Sequence, residues 1–299
     1  MARKPAIGLI APSGQVTDQE ALERGIAYFR ARGWRVVAPA VVKRAHQRFA
    51  GDDQARLAAL HAMAARSEVK IVMAARGSYG LSRLLGRIDY KLLAQAGQRY
   101  IGHSDFTALL CANLARAGMH GFAGPMAGYD FGAAHVSAFT EQHFWRMLDE
   151  GHDEIEVRGG SDSALRVQGR LWGGNLAMIA SLVGTPYLPR VRGGLLYVED
   201  ISEHPYRIER MLLQLQHAGI LRTQRALLLG DFSGYKLAPH DNGYDFATMV
   251  AHLRETLDIP VVTGLPFGHV RDKLTLPMGG KAVLRAEKGG WHLAYGAAP

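Results

Sequence analysis

A serine stands where an apolar strand is predicted to turn into a helix, in the segment RYIGHSDFT of residues 99–107. The hydroxyl of Ser104 would be exposed on that sharp turn, and the N–H of Asp105 would point into the same space. This arrangement suits a nucleophile that attacks a carbonyl carbon. The alternative is that Ser104 caps the helix, a role that serine favours, and the second glycine of the G-x-S-x-G motif is absent. The segment alone leaves both roles open.

A glycine-rich turn, RGSYG at residues 76–80, follows the predicted strand 69–75. Because the carboxyl ends of parallel strands share one edge of a sheet, this turn can lie beside Ser104 and offer a backbone N–H to an oxyanion. The alternatives are a phosphate-binding turn or a simple connection between strand and helix. The dinucleotide-binding spacing G-x-G-x-x-G is absent here.

A nucleophilic serine needs a base and an acid that orients the base. Among the 13 histidines, His269 stands out because it follows Pro-Phe-Gly at the exit of a predicted strand. His103 adjoins the serine but would point to the other side of the backbone. Glu199 ends the apolar run LLYV and is the carboxylate expected to be buried, whereas Glu203 is suited to cap the next helix.

Short apolar runs alternate with helical patterns in the first half of the chain, which is typical of a parallel sheet covered by helices. Strands are predicted at residues 5–12, 35–40, 69–75 and 99–102. A first helix is predicted to begin with a capping box at residues 17–20, in which Thr17 is the cap, and to end near residue 32. Two more helices are predicted over residues 52–66 and 105–117. The second half predicts strands at 166–171, 195–198, 226–229, 261–263 and 282–286, with helices near 176–182, 206–217 and 245–257.

Residues 150–163, between these halves, are polar and rich in glycine, which predicts a linker. We therefore expect an N-terminal α/β domain over residues 1–150 that carries the serine. A smaller, β-rich α+β domain over residues 165–299 would carry Glu199 and His269. A site made from these three residues must lie between the two domains.

Charge, cysteine content and the length of apolar runs argue against nucleic-acid-binding, disulfide-linked and membrane-spanning proteins. The 299 residues carry 35 Lys and Arg against 27 Asp and Glu, a net charge of +8, but the basic residues are scattered and no basic run alternates with aromatics as in a nucleic-acid platform. The single cysteine, Cys111, excludes intrachain disulfides and lies in an apolar run that predicts burial. No apolar stretch is long enough to span a bilayer. We expect a soluble, cytoplasmic protein that binds neither nucleic acid nor membrane.

Taken together, the motifs resemble those of the LD-carboxypeptidases, serine peptidases that include muramoyltetrapeptide carboxypeptidase and the microcin-immunity peptidases. The similar segments lie in order along nearly the whole chain: GLIAPSG at residues 8–14, RGSYG at 76–80, GHSD at 102–105, WGGNL at 172–176, VED at 198–200 with PYRIER at 205–210, and GH at 268–269 with LPMG at 276–279. The resemblance implies a flavodoxin- or Rossmann-like N-terminal domain joined to a smaller β-rich domain.

The resemblance also implies a catalytic triad in which Ser104 attacks, His269 transfers the proton and Glu199 orients the imidazole. The backbone N–H groups of Ser78 and Asp105 would hold the oxyanion. The implied reaction releases the terminal D-alanine of murein tetrapeptide in cell-wall recycling, without a metal or cofactor, and the implied assembly is a homodimer.

One residue departs from the family pattern, and one choice between two acids stays open. Ser78 stands where the family usually has glycine, so its backbone must tolerate a side chain if its N–H lines the oxyanion hole, and that role holds if the local φ is negative. Glu203 remains an alternative acid. Arg76, Trp172 and Asn175 are predicted to bind substrate, and Arg207 is a further candidate for its carboxylate.

The alternatives to this function are a microcin-immunity-like peptidase that cleaves a peptidyl-nucleotide, with Trp172 stacking on the base, and a non-catalytic protein that binds a nucleotide or sugar through the same glycine turns.

Overall fold

A mostly parallel sheet of six strands forms the first half of the protein. The computed structural model describes residues 5–297, so the outermost residues of the two predicted domains, 1–4 and 298–299, lie outside it. The strands of this sheet are β1 (Ala6–Ile10), β2 (Arg35–Val37), β3 (Val69–Ala74), β4 (Arg99–Gly102), β5 (Gly121–Ala123) and β11 (Leu276–Met278), in the spatial order β11-β5-β4-β3-β1-β2. Only β11 runs antiparallel to its neighbour.

The second sheet has seven strands and is mixed. Its members are β6 (His152–Arg158), β7 (Leu165–Asn175), β8 (Leu195–Ile201), β9 (Ala226–Ser233), β10 (Val261–Thr263), β12 (Lys281–Glu287) and β13 (Gly290–Gly296), in the order β10-β9-β8-β7-β12-β13-β6. The strands from β10 to β7 are parallel, and those from β7 to β6 are antiparallel. The expected two-domain α/β architecture is therefore confirmed.

The burial of the strands differs between the parallel and the antiparallel parts of the sheets. Every residue of β1 is buried, as expected for a parallel strand covered by helices on both faces. In β12 and β13 buried and partly or fully exposed residues alternate, because one face of this antiparallel part of the sheet meets the solvent.

The helices of the first half are α1 (Gln19–Ala31), α2 (Asp53–Ala64), α3 (Tyr90–Ala96), α4 (Phe106–Ala117) and α5 (Ala138–Asp149), and those of the second are α6 (Leu176–Ser181), α7 (Pro205–His217) and α8 (Phe246–Thr256). The capping residue of α1 is Asp18, whose side chain accepts the N–H of Ala21, so the prediction that Thr17 caps this helix is wrong. The hydroxyl of Thr17 instead accepts a hydrogen bond from Arg76.

The segment 150–163 is not an irregular linker, because β6 lies within it and pairs with β13 along its whole length. Strands β5, β6, β11 and β13 and helices α3 and α5 are elements that the sequence did not predict. Cys111 is buried in α4, as expected, and burial raises the pKa of its thiol to about 12. Within residues 5–297, no helix is both long and apolar enough to cross a membrane.

Contacts between the two halves hold their sheets together beside α4. The backbone N–H of Asn175, at the end of β7, donates to Thr107 Oγ1 in the first turn of α4 (3.0 Å). Farther along the chain, β11 returns to the first sheet and pairs with β5. The carboxyl ends of β4 and β8 therefore lie on one shared side, where a site can form between the halves.

Candidate active site

Ser104 lies on a tight turn between β4 and α4, in the left-handed region of backbone space with a φ of 61°. Such a conformation is strained for a residue with a Cβ and is common at functional sites. A Cβ at Gly102 would lie 2.8 Å from the ring of Phe106, so only glycine allows the chain to turn so sharply here. The cap position of α4 is occupied by Asp105, without a side-chain capping bond. Ser104 therefore holds a partly exposed hydroxyl on a turn and does not cap the helix.

The glycine turn after β3 lies directly against this serine. A Cβ on Gly77 would lie 2.8 Å from Ser104 Cβ and 3.0 Å from its Oγ, so glycine permits the two turns to approach. The next residue, Ser78, has a φ of 80°, so the negative φ on which its predicted role in the oxyanion hole was conditional is not found, and that role depends instead on where its N–H points. Ser78 is exposed and its Cβ packs close to Gly14, which has no side chain to obstruct it.

The peptide between Gly77 and Ser78 has a defined orientation. The carbonyl of Gly77 accepts the N–H of Gly14 (3.0 Å). Because the C=O and N–H of a trans peptide point in opposite directions, the N–H of Ser78 points away from Gly14. No acceptor within residues 5–297 takes up the N–H of Ser78 or that of Asp105. Both amides are thus free to donate to an oxygen outside the chain.

The side chain of Asp105 fixes the loops around the serine. Its Oδ2 accepts the hydroxyl of Ser13 (2.5 Å) and the N–H of Leu81 (2.9 Å), which ties the loop after β1 and the turn after β3 to the start of α4. Burial raises the pKa of the Asp105 carboxyl, and these hydrogen bonds oppose that shift. The carboxylate is therefore a structural clamp, while its own backbone N–H remains available.

His269 and Glu199 are hydrogen-bonded to each other. Glu199 ends the apolar part of β8 and is fully buried, and its Oε2 lies 2.8 Å from Nδ1 of His269. Burial alone would lower the pKa of His269, but the hydrogen bond and the charge of Glu199 outweigh it and raise the pKa above 6.5. Glu203 lies 3.7 Å from Arg207 instead. The cap of α7 is His204 and not Glu203.

Asn175 and Asp200 complete the surroundings of Glu199. Asn175 Nδ2 donates to Glu199 Oε1 (3.2 Å) and to Asp200 Oδ1 (2.9 Å), and its Oδ1 caps α6 by accepting the N–H of Met178. All the polar atoms of the Asn175 side chain are thus engaged within the protein. Burial raises the pKa of Asp200 to about 6. Asn175 orients the glutamate, and its predicted contact with substrate stays a prediction.

His103 lies between the serine and the second domain. Its ring packs edge-on against that of His269, with 5.2 Å between the ring centroids. Its Nδ1 is 3.0 Å from the carbonyl of Gly124 and therefore carries the proton. Burial, together with the charge of Lys273, lowers the pKa of His103 well below 6.5, so the ring is neutral. Its Nε2 has no partner within the described part of the chain.

The hydroxyl of Ser104 forms no hydrogen bond with His269 within residues 5–297. The two side chains nevertheless border the same residue, because Ser104 follows His103 in sequence and His269 packs on its ring. Hydrogen bonds between catalytic groups are often long or poorly aligned until substrate binds.

The other predicted binding residues have different outcomes. Trp172 is fully buried and its indole N–H donates to Gln224 Oε1 (2.9 Å), so it belongs to the core and has no surface to offer a base or a sugar. Arg76 is half-buried and donates to the carbonyl of Gln15 (2.6 Å) and to Thr17, which stabilises the neighbouring loop. Arg207 is exposed on α7.

One group beside the site was missed by sequence reasoning. Lys273 is fully buried, with its Nζ 2.6 Å from Asp130 Oδ1, although neither residue stands in a motif that indicates it. No cluster of three or more His, Cys, Asp or Glu side chains suited to a metal ion is found among residues 5–297.

Both halves of the chain match models of one protein family. Residues 7–124 match the model of the LD-carboxypeptidase N-terminal domain, and residues 168–284 match that of the C-terminal domain. A probable murein peptide carboxypeptidase of Bacillus subtilis is 31% identical, over 94% of this chain and 89% of its own. The crystal structure of muramoyltetrapeptide carboxypeptidase from Oxalobacter formigenes is 45% identical, covers 98% of this chain and 99% of that one, and superimposes with a TM-score of 0.92.

A structure of MccF in complex with glutamyl sulfamoyl guanosine is more distant. It is 21% identical, covers 100% of this chain and 97% of that one, and has a TM-score of 0.89, which shows a common fold. The matches to both domain models and to full-length relatives show that this chain belongs to the LD-carboxypeptidase family of serine peptidases, Peptidase S66.

Proposed function

We propose that the protein is an L,D-carboxypeptidase that releases the terminal D-alanine of murein tetrapeptide. The observation that carries this proposal is the buried Glu199–His269 hydrogen bond beside a serine held at positive φ. The similarity to muramoyltetrapeptide carboxypeptidase supports the choice of substrate.

In the proposed mechanism, Ser104 Oγ attacks the carbonyl carbon of the amide that joins the diamino acid to the terminal D-alanine. His269 Nε2 accepts the serine proton and passes it to the leaving amine, while Glu199 stabilises the imidazolium through Nδ1. The amides of Ser78 and Asp105 donate to the oxyanion. Water then attacks the acyl-enzyme, with His269 as its base, and releases the tripeptide. The serine–imidazole hydrogen bond forms when substrate fills the space between the two domains.

Product analysis tests the substrate. Purified protein incubated with murein tetrapeptide is expected to yield tripeptide and free D-alanine by mass spectrometry, whereas a peptidyl-nucleotide is expected to stay intact. Cleavage of the nucleotide conjugate alone would replace this proposal with the microcin-immunity alternative. The burial of Trp172 removes the stacking contact that this alternative used.

Covalent labelling tests the nucleophile independently of the substrate. A serine-directed phosphonate is expected to add to Ser104, and His269→Ala is expected to abolish the adduct. Ser202→Ala is the matched control, because Ser202 is exposed and has a φ of 62°, close to that of Ser104. Labelling that persists in Ser104→Ala would contradict the assignment and leave the non-catalytic binding protein as the better reading.

A further inference from the structure

We propose that the buried ion pair of Lys273 and Asp130 is a positioning element for His269, which it ties to the first domain and places beside a fixed positive charge. The inference concerns the same site and rests on the proposed function for its kinetic readout only.

The segment that follows His269 is fastened to the first domain at several points. The backbone N–H of Lys273 donates to Thr140 Oγ1 (2.9 Å), and that hydroxyl donates to the carbonyl of Arg271 (2.9 Å). Ser137 Oγ donates to Asp272 Oδ1 (2.5 Å). Lys273 is four residues after His269, so these contacts limit where an imidazole from the second domain can lie relative to Ser104 in the first.

The ion pair itself is deeply buried. The side chains of Lys273 and Asp130 are 0% and 4% exposed, and Nζ lies 2.6 Å from Oδ1 without the alignment of a hydrogen bond. Asp130 Oδ2 accepts the N–H of Met126 (2.7 Å), and the ring of Tyr129 lies 5.0 Å from Nζ. Desolvation of two charges commonly cancels their attraction, so an apolar pair of similar size would often be as stable. Stability alone therefore does not account for a charged pair at this place.

The charge of Lys273 acts on both imidazoles. After burial it is the largest influence that lowers the pKa of His103, and it lowers the pKa of His269 against the opposite effect of Glu199. The ionisable groups that influence His269 or lie beside its segment are Glu199 and Asp200 at the end of β8, Asp231 on β9, His103 after β4, Asp130 and Lys273. Lys273 is the cation in this group. Its charge adds to the burial that lowers the pKa of His103, and it opposes the rise that Glu199 causes in the pKa of His269, which favours release of the proton of His269 to a leaving amine.

The test is the titration of His269, followed by NMR of ¹³C-labelled histidine in the full-length protein. Lys273→Met is expected to raise the pKa of His269 by about half a unit or more, since a unit charge several ångströms away in a protein changes a pKa by that order. The double variant Asp130→Asn/Lys273→Met removes both charges and leaves no unpaired carboxylate in the core. It is expected to raise the pKa of His269 by a smaller amount, because the charge of Asp130 acts on His269 in the opposite direction and more weakly than that of Lys273. Lys43→Met is the control, because Lys43 makes an exposed ion pair of the same 2.6 Å length with Glu23.

The kinetic readout is the acid limb of the profile of kcat/KM against pH, which is expected to move upward in each Lys273 variant by as much as the titration of His269 moves in that variant. An unchanged titration of His269 in the folded double variant would overturn the proposal. A shifted titration in a protein that cleaves no murein peptide would instead refute the proposed function and leave the positioning role standing.

Discussion

Replacing Glu199 by glutamine tests the triad most directly, because the change removes a charge without changing the shape of the side chain. Glu199 is fully buried, with Oε2 toward His269 and Oε1 toward Asn175 Nδ2. In Glu199→Gln the amide oxygen must face Asn175, which is a donor, so the NH2 group faces His269 Nδ1. The imidazole then carries its proton on Nε2, where it cannot accept one from Ser104.

The size of the effect follows from the distance. An imidazolium and a carboxylate with charges about 4 Å apart attract by about 4 kcal/mol at the effective dielectric of a protein. Loss of that attraction in the transition state corresponds to a fall of about 10³-fold in kcat. The variant also loses the group that raises the pKa of His269, so that burial and Lys273 are left to lower it.

The assay measures D-alanine released from murein tetrapeptide between pH 5 and 9. His269 must be neutral to act as a base, so the acid limb of the wild-type profile is expected to have an apparent pKa above 6.5, and that of Glu199→Gln is expected to lie below 6.5. Glu203→Gln is the matched control, because Glu203 lies 3.7 Å from the exposed Arg207, and its kcat is expected to stay unchanged. The reasoning is refuted if Glu199→Gln keeps more than about a tenth of the activity, or if both variants lose equally.

Three further predictions concern the strained serine, the acidic neighbour of the site and the buried tryptophan. Ser104→Gly is expected to be about 1 kcal/mol more stable to urea than Ser104→Ala because glycine relieves the positive φ, while both are inactive; equal stabilities would contradict the strain. Asp200 has a pKa of about 6 in the native state against about 3.9 in the unfolded chain. It therefore contributes about 2–3 kcal/mol to the free energy of unfolding below pH about 4, and this contribution is lost as the pH rises through 6. Asp200→Asn is expected to remove this part of the pH dependence when the free energies of unfolding in urea are compared at pH 4.5 and 6.5. Trp172→Phe is expected to lower the free energy of unfolding by about 1–3 kcal/mol, because Gln224 Oε1 is left without its donor. Its KM is expected to stay unchanged, and a raised KM would show that Trp172 contacts the substrate.

Elements with a strong local pattern could be predicted, and those that depend on distant partners could not. The strands β1, β3, β4, β8 and β9 were predicted because short apolar runs bounded by glycine or helical patterns are visible in the sequence itself. By contrast, β11 contains Pro277 and has three residues, so nothing local marks it as a strand. This segment forms a strand because it pairs with β5 at the edge of the first sheet, where proline is tolerated.

The same division holds for the site. The turn of Ser104 was predictable because the apolar strand, Gly102 and the helix that follows are consecutive in the chain. Local sequence could not predict the positive φ of Ser78, which depends on how the turn packs against Gly14. It also could not tell that Trp172 is covered on every side, since an aromatic at a strand position suits both a core and a binding surface.

The sequence by itself determined the two-domain α/β architecture and the residue types of a serine, a histidine and a glutamate at strand ends, because periodicity and glycine turns are local properties of the chain. Only the tertiary structure decided that Glu199 and not Glu203 meets His269, and that the charge of a buried Lys273 acts on the same imidazole. Proton affinity depends on burial and on charges a few ångströms away, and those distances exist only after residues up to 165 positions apart, such as Ser104 and His269, are brought together between the two domains.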